Sequence, residues 1–326
     1  MSDTNLTIIL GAPRSGTTWL GKIFDSHPQV FYRHEPDLAA GSKPLPPYCP
    51  SNITQQDFEI AHRFVQHLPY ERSLKAACSL PVFKKHQDDC LSYAARASAV
   101  MLLKLAGKIL PRRHHAMLRL PGGHDQPHGP RSHIVIKSVT SLGRANLFAT
   151  ALPRARFILI IRNALGQVAS RLQGIRTGLM PDPGVDPALL RTPVAQSQNL
   201  TTCCLHAMPL AQRLAWEWAL QNEKALSDIS ELPRTKVVRY VDMVRDPASQ
   251  AREILKFSGL SWEPGVAAFI RKSTEYKGHS RYFQVMQDRH TLLTQPRWTL
   301  SPPERDQVLA VMRATNVGQL WPELLN

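Results

Sequence analysis

Between Gly11 and Thr18 the chain reads GAPRSGTT, two glycines spaced by four residues after an apolar run. At the end of a strand that spacing aims successive backbone N–H groups into one concavity, and the following helix adds its positive end. Such a nest holds a phosphate; the bland reading is an ordinary tight turn. Loops that hydrolyse nucleoside triphosphates continue with Gly-Lys-Ser/Thr, the lysine on the β- and γ-phosphates and the hydroxyl on magnesium. Here Thr17 and Thr18 follow Gly16, and the cation is Arg14, inside the loop. The acid that would help hold a metal is missing too, because the apolar run RFILII ends in Arg162. A cation there repels a metal ion and attracts a second phosphate, unless it is only a solvated strand-end charge. The residues therefore predict a nucleotide with two separated phosphates, one at the loop and one near Arg162, and no metal between them.

This pairing resembles the sulfotransferases that use 3′-phosphoadenosine 5′-phosphosulfate (PAPS). Their loop, Pro-Lys/Arg-Ser/Thr-Gly-Ser/Thr-Ser/Thr, matches Pro13, Arg14, Ser15, Gly16, Thr17 and Thr18. The resemblance implies that these residues cradle the 5′-phosphosulfate. A strand-end arginine followed eight residues later by a serine, both on the 3′-phosphate, matches Arg162 and Ser170. It also implies Tyr240, in VVRYVDMVRDP, near the adenine, although Val241 stands where the family has glutamate. Trp19 falls where many members place an aromatic residue against the adenine; its alternative is a core position on the first helix. The implied fold is α/β, a P-loop-containing nucleoside triphosphate hydrolase-like three-layer α/β/α with a central parallel sheet.

Sulfuryl transfer needs in-line attack, a base for the incoming hydroxyl, and cations on the leaving oxygen. Less charge migrates than with a phosphoryl group, so Arg14, a nearby lysine and the helix end are expected to suffice without metal. That lysine is Lys137, at the end of HIVIK, followed by Ser138 as in the family's Lys-Ser/Thr pair. Aryl- and steroid-sulfating members have a catalytic histidine next, whereas this chain has Val139. The stretch HPQVFYRHEP instead resembles the glycan-sulfating members and offers Glu35 as the base. Its neighbour His34 is the alternative, and strand alternation predicts that only one of the two faces the substrate. Glu35 could otherwise be an ion-pair partner of Arg33 or Arg14.

These residues need a scaffold, and the pattern supplies one. Short apolar runs at residues 7–10, 29–32, 133–137, 156–161 and 236–240 alternate with helical periodicities. Leu165, Val168, Ala169 and Leu172 recur at helical spacing, and a long helix runs through LAQRLAWEWALQNEKALSD. Asp246 precedes Pro247 as an N-cap, and Ser301 and Glu304 have capping-box spacing. Alternating strands and helices predict a parallel sheet covered on both faces. From about residue 40 to 131 the pattern breaks into a proline-rich insertion with helices around 57–68 and 89–110. We expect one sulfotransferase domain over residues 1–326, with this insertion as a substrate lid.

With 326 residues, 43% of them apolar, the chain can bury a sizeable core. The opening MSDTNLTIIL lacks a basic leader, and ASAVMLLKLAGKIL is broken by Lys104 and too short for a span. A cytoplasmic protein without a transmembrane segment is expected. The five cysteines, Cys49, Cys78, Cys90, Cys203 and Cys204, lack metal or disulfide spacing, and the sequons at Asn5, Asn52 and Asn199 read as chance matches. A net charge of +15 favours an anionic partner, such as an anionic glycan or lipid-linked sugar with a hydroxyl to sulfate. Nucleic acid is not expected, because aromatic residues are only 7% and several sit in core patterns. The remaining alternatives are a nucleotide kinase or NTPase, and a sulfotransferase acting on a small-molecule or lipid alcohol.

Overall fold

Five runs of apolar residues form the strands β1 (Leu6–Leu10), β2 (Val30–His34), β3 (His133–Ser138), β4 (Arg156–Ile161) and β5 (Thr235–Arg239). In the computed structural model they make one parallel sheet in the order β2-β3-β1-β4-β5. The structure describes residues 5–39, 45–49, 53–122, 132–182, 184–230, 232–275 and 299–325. Helices follow in chain order: α1 (Thr17–Asp25), α2 (Pro36–Ala39), α3 (Gln55–His67), α4 (Cys90–Ile109), α5 (Ala145–Ala151), α6 (Ala164–Arg176), α7 (Pro193–Ser197), α8 (Thr202–Ala207), α9 (Leu210–Ile229), α10 (Tyr240–Arg245), α11 (Pro247–Phe257), α12 (Pro264–Thr274) and α13 (Pro302–Arg313).

The three layers follow from the two-residue period of the strands. Leu6, Ile8 and Leu10 of β1, with Phe157, Leu159 and Ile161 of β4, face one core with α3, α5, α6, α9 and α13. Ile9, Ile158, Ile160 and Val238 face the other, with α1, α11 and α12. Both faces are thus buried, as a purely parallel sheet requires. The expected α/β three-layer arrangement is what the chain adopts. The chain runs from β1 outward to β2, then crosses back through β3 to β4. The cleft above the carboxyl ends of these strands therefore lies where connections diverge, the place where such sheets bind ligands.

Local differences from the sequence reading have physical causes. β2 continues to His34 because it keeps pairing with β3, His34 lying opposite Lys137. Tyr240 starts α10 instead of ending β5. In the span expected as an insertion, α3 joins the main core through Ala61, Phe64 and Val65. By contrast, α4 rests on a small separate cluster of Cys78, Val100 and Leu120. Asp246 caps α11 by accepting from the Ser249 amide, and Glu304 accepts from the Ser301 amide before α13.

Candidate active site

The loop after β1 is built from two left-handed residues, Arg14 at φ 73° and Gly16 at φ 96°. Their alternation turns the backbone so that α1 starts immediately at Thr17. A Cβ on Gly16 would lie 2.3 Å from the Tyr240 ring, so only glycine lets loop and ring approach this closely. Gly11 is as tightly enclosed, a Cβ there lying 2.6 Å from the Ile160 carbonyl oxygen. Ser15 is buried, and its hydroxyl has no hydrogen-bond partner among the described residues. Burying a hydroxyl without a partner is unfavourable, and an anion in the loop would supply one.

The residues expected at a second phosphate lie close to one another. Arg14 Nε donates to Ser170 Oγ at 2.9 Å, joining the loop to α6. The Arg162 guanidinium lies 5.1 Å from the centre of the Tyr240 ring and crosses the first turn of α6, where a Cβ on Gly166 would meet its Nε at 2.7 Å. Trp218 Nε1 donates to the Arg162 carbonyl at 2.9 Å and fixes the end of β4. Arg14, Arg162, Ser170 and Tyr240, separated by up to 226 residues in sequence, thus form one cationic wall. Trp19 is buried in the second core, donates to Ser273 Oγ at 3.0 Å, and meets Tyr240 edge-on at 6.3 Å. Thr17 is buried and Thr18 partly exposed at the start of α1. Lys277, Arg281 and Arg297 lie outside the described residues.

Beyond the end of β2, Glu35 forms a buried ion pair with Lys137 of β3, Lys137 Nζ donating to Glu35 Oε1. Lys75 Nζ approaches the other oxygen at 2.6 Å. Burial alone would raise the Glu35 carboxyl, but its cationic neighbours, Lys137 foremost, hold it down at about 2. The Lys137 ammonium is pushed below its usual value by burial, despite the opposing pull of Glu35. The ion-pair partners seen on Glu35 are Lys137 and Lys75, while Arg33 is buried and donates to the carbonyls of Pro69 and Tyr32.

The expectation that His34 and Glu35 face opposite ways is corrected by the structure. Glu35 has φ 50°, which breaks strand alternation and brings its carboxylate within 3.8 Å of His34 Nε2. His34 is held by Tyr32 OH at its Nδ1, 2.9 Å away, and burial lowers its pKa to about 3. Two contributors have no signal in the sequence. Lys75 arrives from a turn that pairs with the edge of β2, Ala76 O accepting from the His34 amide at 2.9 Å. Asp37 is fully buried and accepts from the hydroxyls of Ser138, Thr140 and Ser141, which fixes the turn after Lys137.

The chain is 23% identical over 316 residues to Carbohydrate sulfotransferase 1 of Danio rerio, covering 82% of this chain and 65% of that protein. It is 24% identical over 297 residues to Carbohydrate sulfotransferase 5 of Mus musculus, covering 83% and 68%. The chain thus spans about two thirds of the length of these relatives. Among solved structures, sulfotransferase STF9 from Mycobacterium avium matches with a TM-score of 0.45 at 13% identity, over 97% of this chain and 78% of that one. The profile of the sulfotransferase family matches residues 7–264, a span that contains the loop, Glu35, Lys137, Arg162, Ser170 and Tyr240, and the chain belongs to that family.

Proposed function

We propose that the protein transfers a sulfuryl group from PAPS to a hydroxyl of a carbohydrate acceptor. One observation carries the reading: the glycine loop leaves β1 beside the end of β3, where Lys137 pairs with the buried carboxylate of Glu35. The names of the relatives, carbohydrate sulfotransferases, favour a glycan over a phenol or steroid. The partnerless Ser15 hydroxyl and the glycine cradle under Tyr240 fit the phosphosulfate and the adenosine. Arg14, Ser15, Gly16, Thr17 and Thr18 would hold the 5′ side, Arg162 and Ser170 the 3′-phosphate, and Tyr240 with Trp19 the base. The cationic wall can carry charge without a metal, which we include in the proposal.

When bound, PAPS supplies a sulfuryl group whose bond to the bridging oxygen breaks as the acceptor oxygen bonds to sulfur, leaving adenosine 3′,5′-bisphosphate. Glu35 takes the acceptor's proton. With Lys137 and Lys75 both on it, the carboxylate is a weak base. Lys137 turning toward the developing negative charge removes one of those ammonium partners, and burial then raises the basicity of Glu35. Arg14 and the first turn of α1 stabilise the leaving phosphate. The turn containing Lys75 and the helices of residues 40–131 would cover the acceptor.

Calorimetric titration with adenosine 3′,5′-bisphosphate, beside ATP–Mg, tests the donor half. The bisphosphate should bind, and Arg162→Ala should weaken it by roughly tenfold to a hundredfold, the worth of a charged hydrogen bond. Preference for ATP–Mg would sink the reading. Transfer of labelled sulfate from PAPS onto a glycan panel tests the acceptor half.

A further inference from the structure

Helix α4 carries an apolar face that nothing in the described fold covers. Leu91, Leu102, Leu105 and Ile109 are 79%, 67%, 55% and 73% exposed, whereas lone exposed apolar residues elsewhere are scattered. With Ala95 and Ser98 they recur at alternating four- and three-residue steps, so they form one stripe along the helix. Met101 beside the stripe and Met117 just beyond the helix, 57% and 78% exposed, widen it. Charge selects the partner. From Cys90 through His124 the sequence holds Arg96, Lys104, Lys108, Arg112, Arg113 and Arg119, and the next acid is Asp125; Arg119 is already paired with Glu71 at 2.9 Å. The two acids just before the helix are already used: Asp88 pairs with Arg96 at 2.5 Å, and Asp89 caps the helix by accepting from the Ser92 amide. Lys108 and Arg113 are exposed at the end of the stripe.

We infer that this face docks on an anionic lipid bilayer, with the leucine stripe in the acyl boundary and Lys108 and Arg113 on the headgroups. An exposed apolar stripe bordered by cations is the composition of an interfacial helix. No described helix is long and apolar enough to cross a membrane, so this contact is peripheral. A second copy docked through the same helix would bring up a face of the same charge. The opposite side of α4 connects to the catalytic cleft. Val100, Ala99 and Leu103 pack with Cys78, Leu74 and Ala77, the segment that carries Lys75 to Glu35. A docked protein would hold that cleft beside the membrane, in reach of an acceptor carried on a lipid.

Flotation with vesicles of phosphatidylserine in phosphatidylcholine, against phosphatidylcholine alone, tests the inference. The protein should float with the anionic vesicles. Leu102→Ser with Leu105→Ser should reduce binding about tenfold or more, because two leucines leave an apolar environment. Lys108→Glu with Arg113→Glu should remove the preference for anionic lipid. Adenosine bisphosphate binding should be unchanged in both variants, which shows that they fold and separates this test from that of the active site. Failure to float, or flotation equal in both variants and the parent, overturns the inference. So does a dimer in sedimentation velocity that Leu102→Ser with Leu105→Ser dissolves while vesicles are ignored, which would assign the face to a second copy.

Discussion

In the proposed reaction Glu35 has two tasks that pull its chemistry in opposite directions. As the partner of a fully buried Lys137 it must stay ionised, and its carboxyl is accordingly held down at about 2. As a base it must accept a proton during transfer. Substitution separates the two. Glu35→Gln should lower kcat by about 10²- to 10⁴-fold, the usual contribution of a general base. It should also destabilise the fold by about 3–5 kcal/mol, because it leaves the Lys137 ammonium buried and unpaired. Adding Lys137→Met should recover most of that stability and none of the activity. Thermal denaturation and initial rates on the three proteins check this. Full activity in Glu35→Gln would move the base elsewhere, and His34, 3.8 Å from the carboxylate, is the next group in place.

At the scale of elements, the site depends on how three of them meet at one glycine. The β1–α1 loop, the start of α10 and the end of β4 converge where Gly16 touches Tyr240 and Tyr240 faces Arg162. Gly16→Ala should therefore do more than strain a left-handed residue by about 1–2 kcal/mol; it should push the ring, and with it the guanidinium, out of place. Affinity for adenosine 3′,5′-bisphosphate should fall at least tenfold, as for loss of one charged hydrogen bond. Gly178→Ala is the control, since Gly178 also has positive φ but a Cβ there meets nothing within 4 Å. Equal binding in the two variants would mean that the close approach is incidental. The difference also explains what could be read beforehand. Glycine spacing and apolar periodicity are local, so the strand–loop–helix unit, the order of strands and helices, and Arg162 at a strand end were legible. The meeting of His34 with Glu35 was not, because it turns on a single φ of 50° that no pattern of residue types announces. Lys75 was hidden for another reason, because packing of a distant segment brings it in, and the role of Asp37, two residues after Glu35, rests on hydroxyls of Ser138, Thr140 and Ser141 that lie far off in sequence.

Across the whole molecule, the core buries imidazoles that water would leave to be protonated. His34 is held to about 3 and His133 to about 4, both chiefly by burial, and burial lowers His27 as well. Each accepts or donates as a neutral ring: His34 to Tyr32, His133 to Thr7 Oγ1 at 2.9 Å, His27 to the Ser261 carbonyl at 3.1 Å. A group whose folded pKa lies below its unfolded value supports the fold above the unfolded value, about 6.5 for histidine, and loses that support as pH falls toward the folded one. Stability should therefore decline from about pH 6.5 downward. By about pH 4 His34 and His133 together should cost on the order of 6 kcal/mol, comparable with the 5–15 kcal/mol that holds a typical domain together. Self-repulsion in a chain that already carries +15 acts in the same direction. Urea denaturation at stepped pH measures this directly: the midpoint should fall steadily below pH 6.5, with a slope approaching two protons from these two rings. His34→Gln with His133→Gln should flatten much of that slope while keeping a polar group near Thr7 and Tyr32. An unchanged slope in the double variant would place the acid sensitivity in groups other than these two rings; the Glu35 pair, with its carboxyl held at about 2, adds its own loss only below about pH 4.5.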